Sequence, residues 1–116
     1  MKALKLLAIT TLAAASVACS DAEPNFDIEL YDKQNSFNGQ PYAEVVITAR
    51  ADEVVIEDVI FNRGNCETRY QNVLTNQDVL PVTLRFGERA GVQSKIGCTA
   101  SEIEIVSSEG AWVYEY

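Results

Sequence analysis

The chain has 116 residues, and its 9 Lys and Arg against 17 Asp and Glu give a formal net charge of −8. An acidic chain is repelled by phosphate backbones, which argues against nucleic acid and would favour a cationic protein partner, although the charge also simply keeps a domain soluble. There is no His, so the commonest general base near neutral pH and the commonest metal ligand are both missing. We therefore expect a protein that is not an enzyme and that holds neither a metal nor a cofactor.

Residues 1–18 have the pattern of a cleaved signal peptide. Lys2 and Lys5 make a basic beginning, and an apolar run follows from residue 6 to residue 15. A membrane-spanning helix needs about 20 apolar residues to cross roughly 30 Å of hydrocarbon, so this run is too short for a retained anchor. The pattern predicts an exported bacterial protein.

The sequence SVAC at residues 16–19 resembles a bacterial lipobox, the motif at which a Cys receives a diacylglycerol and becomes the new N-terminus. The resemblance implies lipidation at Cys19, and Ser20 after it implies sorting to the outer membrane. A lipobox usually has Leu and then Ala or Ser where this chain has Ser and Val. Ordinary cleavage after Ala18 or Ala22, which would release a soluble periplasmic or secreted protein, is the alternative.

The cysteine content favours lipidation and predicts one disulfide. The chain has 3 Cys, and assigning Cys19 to the lipid leaves Cys66 and Cys98, an even pair suited to an oxidising compartment. Closing that loop would restrict the unfolded chain by roughly 3 to 4 kcal/mol. Metal binding by the two thiols is the alternative, and it is disfavoured because the chain lacks both His and a Cys-x-x-Cys spacing.

A short tether at residues 19–25 leads into a single predicted domain at residues 26–116. Within the domain the hydrophobic pattern has a period of two rather than 3.6, which is typical of strands. Apolar residues alternate with other residues from 26 to 31 and from 44 to 49, and both stretches predict half-buried strands.

The run from Val54 to Phe61 predicts a central strand covered on both sides, because it is rich in β-branched residues. Simple alternation gives the strand two apolar faces: Val55, Val59 and Phe61 on one, and Ile56 and Ile60 on the other.

Residues 67–78 are polar and predict the longest loop, in which only Val73 and Leu74 could act as apolar anchors. Alternation resumes at residues 80–86, where Pro81 indicates an edge strand or the beginning of a strand. A Gly-Glu turn then predicts a further strand at residues 92–98.

The last predicted element is a hairpin, with strands at 102–106 and 111–116. Trp112, Tyr114 and Tyr116 would share one face of the closing strand. Three aligned aromatic rings can form a binding platform for sugars or peptides, so these residues are candidate binding residues. Packing against the core or along an edge is the alternative that we favour.

Six to eight short strands with no amphipathic helix predict an all-β fold, in the form of a small immunoglobulin-like antiparallel two-sheet sandwich with one disulfide. The Cys-to-Trp core arrangement of true immunoglobulin domains is not matched, because Trp112 follows both Cys66 and Cys98. The prediction therefore concerns the architecture and not the family.

Taken together, these features favour a non-enzymatic bacterial envelope lipoprotein that acts as a protein-binding module and meets the membrane only through its lipid. One alternative is a structural or assembly accessory of an envelope complex, whose sheet edge pairs with another chain. Another is a soluble periplasmic inhibitor-like binder. In compartment, size, disulfide use and β content the chain is similar to envelope inhibitors of host lysozymes, none of whose motifs it carries.

Overall fold

The computed structural model describes residues 23–116, so the predicted signal peptide, the lipidation site Cys19 and most of the predicted tether lie outside the described part. The described part is all-β, as the sequence predicted. It contains seven strands: β1 (Phe26–Gln34), β2 (Pro41–Ala49), β3 (Val54–Phe61), β4 (Val82–Leu84), β5 (Arg89–Gln93), β6 (Glu102–Ser107) and β7 (Gly110–Glu115). Among these residues, no helix is long and apolar enough to span a bilayer.

The strands form two antiparallel sheets, with the order β1-β2-β5 in the first and β4-β3-β6-β7 in the second. This confirms the predicted immunoglobulin-like sandwich. In constant-type immunoglobulin domains the fourth strand extends the sheet formed by the first, second and fifth strands. Here β4 pairs with β3 instead, so it lies at an edge of the second sheet, in agreement with the expectation from Pro81.

The core fills the space between the two sheets. Alternate residues of β2 are fully buried, as strand geometry requires when one face of a strand covers the core. β6 has the same pattern, with Ile103 and Ile105 buried. The largest fully buried side chains are Phe61, Ile47, Ile56, Ile103 and Ile105.

The predicted faces of β3 are wrong at two residues, Val55 and Ile56. Val54, Ile56, Val59 and Phe61 are buried, whereas Val55 is only partly buried. The pairing of β3 with β6 shifts register between Ile56 and Asp58, which is a β-bulge. A bulge adds one residue and reverses the alternation beyond it, so Ile56 lies on the same side as Val59 and Phe61.

The predicted anchors of the loop at residues 67–78 are also wrong, because Val73 and Leu74 are 68% and 90% exposed. Thr68 anchors the loop instead. Its buried hydroxyl donates to the backbone oxygen of Val59 at 2.6 Å. The strand predicted at 92–98 begins earlier, at Arg89, and ends at Gln93.

The predicted disulfide is present between Cys66, just after β3, and Cys98, just before β6. Asn62 reinforces the same junction. Its side-chain nitrogen donates to the backbone oxygen of Thr99 at 2.9 Å, and its side-chain oxygen accepts from the backbone nitrogen of Ser101 at 2.8 Å. The backbone nitrogen of Glu102 also donates to the Asn62 side-chain oxygen, at 3.1 Å. The end of β3 is thus joined to the beginning of β6 by a covalent bond and by the hydrogen bonds of one side chain.

Candidate binding surface

The turn between β1 and β2 is held in one conformation by Asn35. Its side-chain oxygen accepts from the backbone nitrogens of Phe37 and Asn38, at 2.9 and 3.2 Å. Its backbone oxygen accepts from Gly39, and its backbone nitrogen donates to Gln40, both at 2.8 Å. Asn side chains commonly stabilise turns in this way.

The loop between β3 and β4 repeats this turn at its tip. Asn72 accepts through its side chain from the backbone nitrogens of Leu74 and Thr75, at 2.8 and 3.2 Å. The backbone oxygen of Asn72 accepts from the backbone nitrogen of Asn76 at 2.8 Å, and the backbone nitrogen of Asn72 donates to the backbone oxygen of Gln77 at 2.9 Å. Every one of these contacts has its counterpart at the corresponding position of the first turn.

The fifth position requires the left-handed backbone region in both turns. Gly39 has φ of +71° and Asn76 has φ of +58°. Gly adopts this region without strain and Asn adopts it more readily than most residues, so both sequences suit the same turn. We call residues 35–40 the first prong and residues 72–77 the second prong.

Each prong presents one large apolar side chain at its third position. Phe37 is 95% exposed and Leu74 is 90% exposed. Neither prong contains Asp, Glu, Lys or Arg, although 22% of the whole chain is charged. The prongs therefore combine an apolar tip with neutral Asn, Gln, Ser and Thr.

The two prongs lie at the same end of the sandwich, because residues of both line one cleft of about 330 Å³. The first prong contributes Asn35 and Ser36, and the second contributes Val73. The remaining lining residues come from the strands and loops beneath them: Gln34, Tyr42, Arg69, Gln93 and Ile96. We call the prongs and this cleft together the prong surface.

The base of the second prong is fastened to both sheets. The backbone nitrogen of Arg69 donates to the backbone oxygen of Gln93 at 2.8 Å, and the backbone nitrogen of Lys95 donates to the backbone oxygen of Glu67 at 2.8 Å. These two bonds tie the loop to the end of β5. The hydroxyl of Tyr70 donates to the Asp58 carboxylate on β3 at 2.8 Å. This loop is therefore a fixed projection.

A second cleft, of about 520 Å³, shares Arg69 and Val73 with the first and is lined also by Lys95 and by further residues of the second prong and its base. Burial and the hydrogen bond to Asp58 raise the pKa of Tyr70. The Lys95 ammonium, 2.8 Å from Glu67, lowers the pKa of that carboxyl. The residues that line the cleft are otherwise mostly polar, as expected for a surface open to water.

The aromatic residues predicted as binding candidates lie on β7, at the edge of the second sheet. Trp112 and Tyr114 are partly buried and pack against the core, and the Trp112 ring meets Phe26 edge-to-face at a centroid distance of 5.5 Å. Tyr116 is 59% exposed. Their role in binding stays a prediction.

Sequence reasoning missed both prongs. The signal that could have found them is a repeated pattern, in which Asn is followed at the second position after it by a large apolar residue, at the fourth by Gly or Asn, and at the fifth by Gln. The segments NSFNGQ at residues 35–40 and NVLTNQ at residues 72–77 fit it.

Within residues 23–116, no group of three or more Asp, Glu, Cys or His side chains is placed to hold a metal ion. Comparison with known proteins adds no relative: no protein-family model, no curated protein and no solved structure matches the chain. The chemistry of the site must therefore be inferred from its own residues.

Proposed function

We propose that the chain is a non-enzymatic protein-binding module of the bacterial cell envelope, and that the prong surface is its binding site. The observation that carries the proposal is the pair of matching turns that expose Phe37 and Leu74 and that both contribute residues to one cleft. A large apolar side chain that moves from water into the surface of a partner contributes about 1.5–3 kcal/mol to binding.

The composition of the prongs supports a protein partner. Protein interfaces are depleted of charge at their centre, and binding loops are often rich in Asn, Ser and Gly around a few apolar anchors. The prongs have this composition within an otherwise acidic chain. Turns fixed by Asn35 and Asn72 also lose little conformational freedom on binding, which favours affinity.

Photo-crosslinking tests this proposal. We would place p-benzoylphenylalanine at position 37, at position 74 and at the control position 86. Phe86 is also an exposed Phe, but it lies in the turn before β5, at the opposite end of the sandwich. We expect one adduct of the same mass and the same identified protein at 37 and 74, and none at 86. Equal adducts at all three positions would overturn the proposal.

A structural or assembly accessory is the second candidate. The observation in its favour is the position of β7 at the end of the strand order of the second sheet, where Val113 is 55% exposed. An unpaired strand offers backbone groups to a strand of another chain. The same crosslinker at position 113 separates the two candidates, because an edge-pairing accessory would give its adduct there and not at position 37.

Insertion of the prongs into a bilayer is the third outcome of the test. The negative charge of the chain opposes binding to anionic lipid, and the two prongs together expose only three large apolar side chains, Phe37, Val73 and Leu74. Phosphatidylcholine vesicles carry no net charge and test the apolar contribution alone, and flotation with them should leave a Cys19→Ser variant in solution. Flotation that is lost in Phe37→Ser and Leu74→Ser would assign the prongs to the membrane instead.

We also propose that Cys19 carries the lipid that holds the module at the outer membrane. The proposal rests on the SVAC segment and on the disulfide, which uses the two other Cys residues. The intact mass of the protein from its native membrane fraction tests it. A chain that begins at residue 19 with acyl mass is expected, and an unmodified chain that begins at residue 23 would make the protein a soluble binder.

A further inference from the structure

The cleft between the prongs has an unusual charge. Among the residues of 23–116 that line it, Arg69 alone carries a formal charge, and the others are neutral polar or apolar. Arg69 also lines the larger cleft of about 520 Å³. Arg69 thus lines the clefts on which the second prong borders.

The Arg69 guanidinium has no hydrogen-bond or ion-pair partner among residues 23–116. Its Nε atom is buried without a hydrogen bond, and no ion pair forms between Arg69 and any carboxylate of residues 23–116. Four other cations of residues 23–116 pair with carboxylates, for example the Lys95 ammonium with Glu67 at 2.8 Å. Arg85 and Arg89 also lack an acidic partner among these residues, but both are exposed. In a chain with 17 acidic residues, an unpaired and half-buried Arg is therefore a specific feature of this cleft.

A buried donor without an acceptor is costly, and most such donors in proteins are satisfied. Carboxylate is the group that best fits a guanidinium, because it can accept two charge-assisted hydrogen bonds at once. Val73 and Ile96 line the same cleft, so the ligand group that reaches Arg69 has apolar surface beside it. An apolar residue next to a carboxylate matches both features.

We propose that Arg69 binds a carboxylate of the protein partner, carried next to an apolar side chain that packs in the cleft between the prongs. This inference rests on the proposed function and names the chemistry of the partner. The carboxylate can belong to a chain terminus or to an Asp or Glu side chain. Both share the same chemistry, and the experiment separates them.

The test follows the ¹H–¹⁵N resonances of the exported, ¹⁵N-labelled Cys19→Ser variant, including the Arg69 Nε–H. Three probes are titrated: N-acetyl-phenylalanine, with a terminal carboxylate; N-acetyl-Phe-Glu-amide, with a side-chain carboxylate; and N-acetyl-Phe-Gln-amide, with none. We expect one or both acids to shift the resonances of Arg69, Val73 and Ile96. The neutral probe should bind at least roughly tenfold more weakly than the preferred acid. The more tightly bound acid identifies the source of the carboxylate.

Arg69→Gln should weaken binding of the preferred acid roughly tenfold, and Arg69→Lys should retain part of it as a point charge. Arg85→Gln is the matched control, because Arg85 is exposed in the turn before β5, at the other end of the sandwich. Equal binding of the acids and the neutral probe, or equal shifts with inorganic phosphate, would overturn the inference. If crosslinks form at positions 37 and 74 while no acid shifts Arg69, this inference fails and the proposed function stands.

Discussion

Asn35 and Asn72 play the same part in two separate turns: the side-chain oxygen of each accepts from the backbone nitrogen two residues later, at 2.9 and 2.8 Å. Their turns begin 37 positions apart in the chain and share one end of the sandwich. Two different sequences have thus reached one local geometry because both meet its few requirements: an acceptor at the first position and a residue that tolerates positive φ at the fifth.

We expect Asn35→Ala and Asn72→Ala each to lower the free energy of unfolding by about 1 kcal/mol, because each removes two side-chain hydrogen bonds at an exposed site. Urea denaturation measures this loss. Amide exchange should also accelerate at Phe37 or Leu74, on the altered prong only. The control is Asn65→Ala, whose side chain makes no hydrogen bond within residues 23–116, and it should be close to neutral. Equal losses for all three variants would mean that the prongs are not specifically fixed.

Asn62 should be the most sensitive polar position of the fold. Its φ of +52° disfavours residues with a β-carbon, and its side chain bonds both Thr99 and Ser101. Asn62→Gly keeps the backbone freedom and removes the hydrogen bonds, so we expect a loss of about 2 kcal/mol. Asn62→Ala should cost about 1 kcal/mol more, because Ala is strained at positive φ. Chemical denaturation of the two variants separates the loss of the hydrogen bonds from the backbone strain. Equal losses in both variants would show that the strain at positive φ is negligible.

The disulfide should supply a large share of the stability of the domain. Cys66 and Cys98 are 32 residues apart, and a closed loop of that length restricts the unfolded chain by about 3 to 4 kcal/mol. We expect the Cys66→Ala, Cys98→Ala double variant to unfold at correspondingly lower urea concentration. Reduction of the disulfide in the native protein should lower the free energy of unfolding by a similar amount. A shift below about 1 kcal/mol would show that Asn62 and the core hold the junction without the covalent bond.

The Glu67–Lys95 pair gives the loop a pH dependence of known sign. Lys95 holds the folded pKa of Glu67 below its ordinary value of 4.5. The contribution of the pair is therefore fully present above pH 4.5 and is lost as the pH falls through the lower folded pKa. NMR titration of the Glu67 carboxyl should show that Lys95→Met raises this pKa towards the ordinary value. Because both side chains are exposed, high salt should have the same effect, and no change with either would contradict the pairing.

The sequence predicted the sandwich well because two-residue periodicity depends on burial, which the fold must satisfy along most of every strand. It failed at β3, where one bulge between Ile56 and Asp58 changed the side on which Ile56 lies. A bulge leaves no compositional signal when both faces of a strand carry apolar residues. The disulfide was predictable because only two cysteines remained once Cys19 was assigned elsewhere.

The prong surface was harder to predict because, in the sequence alone, its exposed apolar residues look like residues that pack in the core. Val73 and Leu74 look like anchors in a polar loop, and only the turn geometry around Asn72 directs Leu74 outwards. Arg69 gives no signal in the sequence either, since its lack of an acidic partner depends on where the chain places its carboxylates. Local pattern predicts elements, whereas the site depends on contacts between three separate loops.

The aromatic stripe of β7 supplies a last test, which separates core packing from a binding platform. Trp112 packs edge-to-face on Phe26 and contacts the core, so Trp112→Ala should lower the free energy of unfolding by about 2 to 3 kcal/mol. Tyr116→Ser should change it by less than about 0.5 kcal/mol, because Tyr116 is largely solvated. Acrylamide quenching of the single Trp provides the second readout. A packed Trp112 is quenched weakly until the protein unfolds, whereas strong quenching in the folded state, with a small stability loss in Trp112→Ala, would favour the platform.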